Sequence, residues 1–393
     1  MTNAAPSEPG RSVHPVIFII LTIGMTSVTY GFGRYAFGLF LPALHDDFAA
    51  ATWQLGAIAS ANAVVYLVST AVASACAIYF RPAVMMTVAC LITVVGLVTA
   101  GVSTSFAGAA LGIILAGIGA GVVSPALFEA IESSLSGAWK VRAIGAVSAG
   151  ATPGMIVTAM AAYAAADAWR IAWLIMAGVG LLIIILSVFT FTHGHATRVR
   201  KSVKLALSLS LIFDGRHARL YFVLLVYGIL FSVYLTFAVG LLSQFGNLAP
   251  PQDRLFWALL GAAGLPAVLN GVFISSFGLA NFLRLTFGAC ALAYALIALM
   301  PNLFGAVLLS AVLFGYSSIS IGSGLLVWGV GKFKGRPSIG SGVVLFLFSS
   351  TTIIGPILSS AVLPHIGSTF LFVALAILSM LMLPLAGSRE IAT

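Results

Sequence analysis

The sequence predicts an all-α integral membrane protein, with twelve transmembrane helices in two pseudo-symmetric six-helix bundles. Three observations carry this. First, 61% of the 393 residues are hydrophobic and only 7% are charged. A soluble domain carries about 25% charged residues, so lipid must be the solvent for most of this chain. Second, the chain divides into apolar runs of about 20 residues or more, the length that crosses a bilayer. Third, the longest break between runs is basic, lies near the middle and leaves six runs on each side.

In order, the expected helices are 15–43, 53–80, 83–102, 105–131, 142–166, 170–192, 218–245, 254–278, 282–300, 303–331, 337–362 and 366–386. Between them stand short breaks with turn chemistry or charge, such as "HDDFAAAT", "FRPA", "APPQDR", "KFKGRPS" and "LPHIGS". The domain boundaries follow. Residues 1–14 form a polar N-terminal segment, 15–192 the first bundle, 193–217 a basic linker, 218–387 the second bundle and 388–393 a tail. The first apolar run is too long for a signal-peptide core and is read as a retained helix.

Charge sets the orientation. Of the 18 basic residues, all but Arg34, Arg170 and Arg254 fall in segments that share one side when the N-terminus is inside. By the positive-inside rule both termini, the linker and the tail are cytoplasmic, and the membrane is an inner membrane. The net charge of +9 is thereby a topology signal and a contact with membrane lipids; no nucleic-acid partner is needed to explain it. Cys76, Cys90 and Cys290 all lie in apolar runs, without disulfide or metal spacing. No Walker sequence, no Ser-His-Asp or Cys-His constellation and no metal cluster is present. The expectation is a non-enzyme without a cofactor, acting as a monomer.

An internal echo supports duplication. "SAGATPGMIVT" (Ser148–Thr158) in the fifth run and "SSTTIIGPILS" (Ser349–Ser359) in the eleventh both set adjacent Gly and Pro among small residues. "AGIGAGVVSPAL" in the fourth run and "FGYSSISIGSGL" in the tenth match in small-residue density.

These motifs, with "GLFLPALHDDF" closing the first run, resemble a bacterial twelve-helix transporter of the major facilitator superfamily. "AGIGAG" (Ala116–Gly121) is similar to the second half of the fourth-helix motif, and "GATPG" (Gly150–Gly154) to a degenerate antiporter Gly-Pro motif. The chain departs from the family where "SACAIYFRPAVMM" keeps only Arg81 of the loop motif, and where Ile113 stands at the position of the antiporters' fourth-helix Arg. The resemblance implies two bundles that rock around a central cavity, lined most directly by the first, fourth, seventh and tenth helices.

Beyond the first three residues of each run, only Arg34 and Glu129 are charged within one. A charge at the bilayer centre costs roughly 2.5–3.5 kcal/mol on insertion scales, so it persists only where something compensates it. Either Arg34 faces a cavity as the ligand of a planar anion, or it snorkels outward and pairs with Asp46 or Asp47. On α-helical spacing Thr26, Tyr30 and Phe37 share its face. Asn62 and Tyr66 of the second run, Tyr227, Phe231 and Tyr234 of the seventh, Asn270 of the eighth, and Tyr316 and Ser320 of the tenth complete an expected aromatic, polar substrate site. Arg81, Glu129, Glu132 and Arg142 are the expected gating charges at the cytoplasmic rim.

The function expected is alternating-access transport of a small organic substrate, coupled to an ion, the proton first, and leaning to efflux. Uptake or exchange of an organic anion (a carboxylate) bound by Arg34 is the alternative. A non-transporting receptor on the same fold is the further one.

Overall fold

The first crossing opens at His14, whose ring accepts the Val16 amide at 3.3 Å, with Pro15 at the first helical position. It runs as α1 (Pro15–Thr26), a π-helical stretch (Ser27–Tyr35) and α2 (Phe37–Phe48), and closes at Ala49 in the left-handed region, φ 48°. The π stretch "SVTYGFGRY" mixes glycines, β-branched and aromatic residues, all poor α-formers, so packing decides its shape. A Cβ on Gly31 would lie 2.5 Å from the Gly154 Cα, and one on Gly33 2.6 Å from the Ala116 carbonyl. Only glycine admits two neighbouring backbones that closely.

The computed structural model describes residues 14–77, 79–136, 139, 143, 146–147, 149–165, 168–191, 217–245, 250–333 and 337–386. After the first crossing come α3 (Thr52–Cys76), α4 (Pro82–Val102), α5 (Phe106–Ser134), α6 (Ala151–Ala164) and α7 (Trp169–Phe191). The later half holds α8 (Ala218–Phe245), α9 (Pro250–Ala262), a 3₁₀ turn (Leu265–Leu269), α10 (Asn270–Phe277), α11 (Leu279–Leu299), α12 (Phe304–Lys332) and α13 (Pro337–Ala386). Among the described residues there is no strand. Ten helical segments among the described residues are long and apolar enough to cross a membrane, and α6 is a shorter apolar helix.

Three expected runs differ from what folds. The run 254–278 is interrupted around Gly264 and Pro266, where a 3₁₀ turn links α9 to α10. The runs 337–362 and 366–386 form one helical segment of 50 residues, kinked at Gly367, φ 77°. Straight, it would measure about 75 Å, more than twice a bilayer core. The break falls at the one position with positive φ rather than at Pro364. The segments 1–13, 193–216 and 388–393, expected on the cytoplasmic side, lie outside the described residues.

Pseudo-symmetry is visible in the packing. Gly154 of α6 packs on Ser27 and Gly31. At one and the same offset, Gly355 of α13 packs on Ser232 of α8, and Gly228 of α8 on Thr351. The two halves meet where Ser60 of α3 donates to the Ile353 carbonyl at 2.8 Å, where Gly56 lies against Ser360 and where Gly261 of α9 abuts Met155 of α6. Large apolar side chains such as Leu182, Phe189, Leu285 and Leu299 are exposed on the outside, as a multi-pass membrane protein in lipid requires.

Candidate functional site

A cavity of about 660 Å³ lies between the two halves, within the 300–1,000 Å³ of small-molecule sites. It extends to Ser74 near the end of α3, Phe128 near the end of α5 and Gly342 near the start of α13. Those helix ends carry Arg81 and Lys332 nearby, so the cavity reaches the basic rim of the bundle. At the opposite rim the halves close on each other: a Cβ at Gly38 would overlap the Leu235 carbonyl.

The walls are aromatic. Tyr30, Tyr35 and Tyr66 face Tyr227, Phe231 and Phe348. The Tyr227 and Phe348 rings stack at 4.9 Å, and Tyr35 meets Phe231 edge-to-face at 5.7 Å. The Tyr227 hydroxyl donates to the Ser318 carbonyl at 2.6 Å, so its proton is held within the protein. Three hydroxyls form a directed chain. Ser124 gives its proton to the Ala120 carbonyl at 3.0 Å, so it accepts from Tyr30. Tyr30 in turn accepts from Tyr66 at 3.1 Å. Each hydroxyl has one proton, so the Tyr66 oxygen is left with acceptor capacity only.

Arg34 stands beyond the closed end of this space, in a smaller chamber. Its Nη2 donates to Thr352 Oγ1 at 3.2 Å and its guanidinium lies 3.9 Å over the Tyr66 ring. Its Nη1 is buried and has no partner among the described residues. Asp47, one of the acids expected for an outward snorkel, pairs instead with Arg170 at 2.7 Å. Arg170 is held further by the Ser103 carbonyl at 2.7 Å and by the Trp169 ring. Arg34 is thus turned toward the interface of the two halves.

The other expected residues separate into groups. Thr26 lines the cavity but spends its proton on the Thr22 carbonyl. Phe37 and Asn62 line a smaller chamber around Arg34 rather than the main cavity. Asn62 braces backbone: it donates to the Gly33 carbonyl at 3.1 Å and the Ile113 carbonyl at 2.8 Å. Tyr234, expected on one face with Tyr227 and Phe231, is corrected to the core of the later half. There it stacks on Phe314 at 3.6 Å and bonds Ser310 at 2.7 Å. Seven residues on, Tyr234 lies about 10 Å further along α8 than Tyr227, where Phe256, Tyr294 and Phe314 enclose its ring. Asn270 and Ser320 bond each other at 3.1 Å behind the wall, and only Ser323, bonded to Asn270, reaches the cavity. Tyr316 is half-buried and does not line the cavity.

Of the expected gating charges, Arg81 is exposed at the basic rim and Glu129 is half-buried near the end of α5. Arg142 and the side chain of Glu132 lie outside what is described. Sequence reasoning passed over Tyr35, Ser124, Phe348, Thr152 and Thr352. Thr152 and Thr352 sit inside the two echo motifs, the one signal that marked their neighbourhood.

A family model described as Major Facilitator Superfamily matches residues 23–348. The chain belongs to the major facilitator superfamily. It is a non-enzymatic membrane transport protein, and its substrate is a small molecule. Among solved structures, a mutant of the nucleoside transporter NupG superposes with a TM-score of 0.77 at 13% identity, over 95% of this chain and 100% of that one. NupG itself gives 0.74 at 14% identity, over 95% and 99%. Identities this low show a shared fold. Compared with curated proteins, the sequence finds no match.

Proposed function

We propose that this major facilitator protein carries a small amphipathic organic anion, with Arg34 as the fixed counter-charge and the tyrosine-lined cavity as the seat for the substrate's body. The single observation behind this is the Arg34 guanidinium, facing the interface of the halves with Nη1 unpartnered and no carboxylate paired to it among the described residues. A guanidinium does not lose its proton at any working pH, so its compensation has to come from an anion or from dipoles. Thr352 and the Tyr66 ring supply dipoles. A substrate carboxylate would supply the charge.

The rim that the cavity reaches is, in this reading, the cytoplasmic side of an inner membrane, and the conformation is the inward-open member of an alternating-access pair. An ion gradient drives the cycle, the proton being the ion first expected. Arg81, Glu129, Glu132 and Arg142 would close the basic rim in the opposite state. The lean toward export rests on "GATPG" and on a bulky apolar cavity; Gly154 of that stretch packs α6 against the first crossing, and both features serve either direction equally.

A second reading has its own support. The linked hydroxyls of Tyr66, Tyr30 and Ser124 suit a neutral polyhydroxylated substrate, and the similar folds include a nucleoside transporter. Counterflow in proteoliposomes separates the two. Aryl and alkyl carboxylates should exchange, Arg34→Ala should abolish the exchange with folded protein retained, and Arg34→Lys should keep a fraction. Exchange of uridine that survives Arg34→Ala, with no carboxylate exchange, would establish the second reading in place of the first.

A further inference from the structure

Arg34 does not sit in the open cavity. It lines a separate chamber of about 50 Å³ with Asn62, Ser232, Thr236 and Thr352. Tyr35, Phe231 and Leu235 wall both spaces, and the edge-to-face contact of Tyr35 with Phe231 forms the neck between them. A water needs about 10–15 Å³ of such space, so the chamber has room for a group the size of a halide or a carboxylate. The hydroxyls of Ser232 and Thr352 spend their protons on the carbonyls of Gly228 and Ser349 in their own helices. That leaves the Arg34 guanidinium as the charged group lining the chamber, with Nη1 buried and making no hydrogen bond to the described residues.

We propose that this chamber is a small-anion subsite, distinct from the cavity, and that Tyr35 and Phe231 set the width of anionic head that passes into it. The proposal rests on the organic-anion reading above and deepens it. The transported class is carboxylates unbranched next to the carboxyl, whose head enters the chamber while the body stays in the cavity. A free halide or formate has the same chemistry and can occupy the chamber alone.

Thermal unfolding of the full-length protein in detergent, at constant ionic strength, tests this with formate, acetate, chloride and pivalate. Formate, acetate and chloride should each raise the Tm saturably. Pivalate, with a quaternary carbon beside its carboxylate, should not. Arg34→Gln should lose the rise, Arg34→Lys should keep a weaker one as a folded cationic control, and Phe231→Ala should gain a response to pivalate by opening the neck. An equal Tm rise in Arg34→Gln, a pivalate response in the unaltered protein, or no rise with any of the small anions overturns the subsite. Carboxylate counterflow that depends on Arg34 without any small-anion rise would remove the chamber and leave the transport reading intact. A small-anion rise without carboxylate counterflow would do the reverse.

Discussion

Asn62 shows how much of the site is scaffolding. It is buried, and its amide satisfies two backbone carbonyls, one in the π stretch and one in α5. Removing it deletes two buried hydrogen bonds, each worth about 0.5–1.5 kcal/mol. Asn62→Ala is therefore expected to lower the Tm in the absence of any ligand, and a Tm equal to that of the unaltered protein would show that other groups satisfy those carbonyls. At this scale the sequence was partly legible. Arg34 stood out because topology explained every other basic residue except Arg170 and Arg254 at the far rim. Its partner Thr352 did not, because they meet only across the interface of the two halves. Tyr35 was passed over for a geometric reason. Five residues along an α-helix turn a side chain about 140° from Tyr30, but the i→i+5 bonding of a π-helix brings it back to nearly the same face. The two rings are 6.1 Å apart and both line the cavity.

Among elements, the glycine contacts govern how the helices approach. Gly154 on the first crossing and Gly355 on α8 occupy equivalent places in the two halves, and a Cβ on either would overlap its neighbour. Overpacking of this kind costs about 1–3 kcal/mol. Gly154→Ala, whose Cβ meets the Ser27 and Gly31 backbone, should lower the Tm more than Gly355→Ala, whose near contact is the Ser232 hydroxyl, which can rotate away. An equal drop in both would argue that Ser232 is as fixed as backbone. Element positions were well read from apolar runs and turn residues, since those follow directly from the thickness of the bilayer. What the runs did not reveal was local winding. The π stretch, the 3₁₀ turn in 254–278 and the kink at Gly367 all come from packing between segments distant in sequence, and no window along one run contains that information.

For the whole molecule, composition decided the solvent, and the echo of "SAGATPGMIVT" in "SSTTIIGPILS" decided the duplication. Both stretches border the space between the halves. Thr152 and Ser349 line the cavity, and Thr352 holds Arg34. Which rim is open was not legible, because a sequence specifies the alternating states together and their populations differ by only a few kcal/mol.

The lone guanidinium also has an electrical consequence. In the organic-anion reading, an empty carrier holds one positive charge between its halves, and a carrier loaded with a monovalent anion holds none. A full charge crossing the full field is worth about 2.3 kcal/mol per 100 mV, and Arg34 senses whatever part of that field falls across the closed rim. Exchange of anion for anion, which never passes through the empty form, should then be indifferent to a potassium diffusion potential imposed with valinomycin. Net flux, which must return the empty carrier, should change with its sign, and Arg34→Gln should remove that dependence from whatever flux remains. The charge that first marked this residue as out of place would then act as the protein's voltmeter.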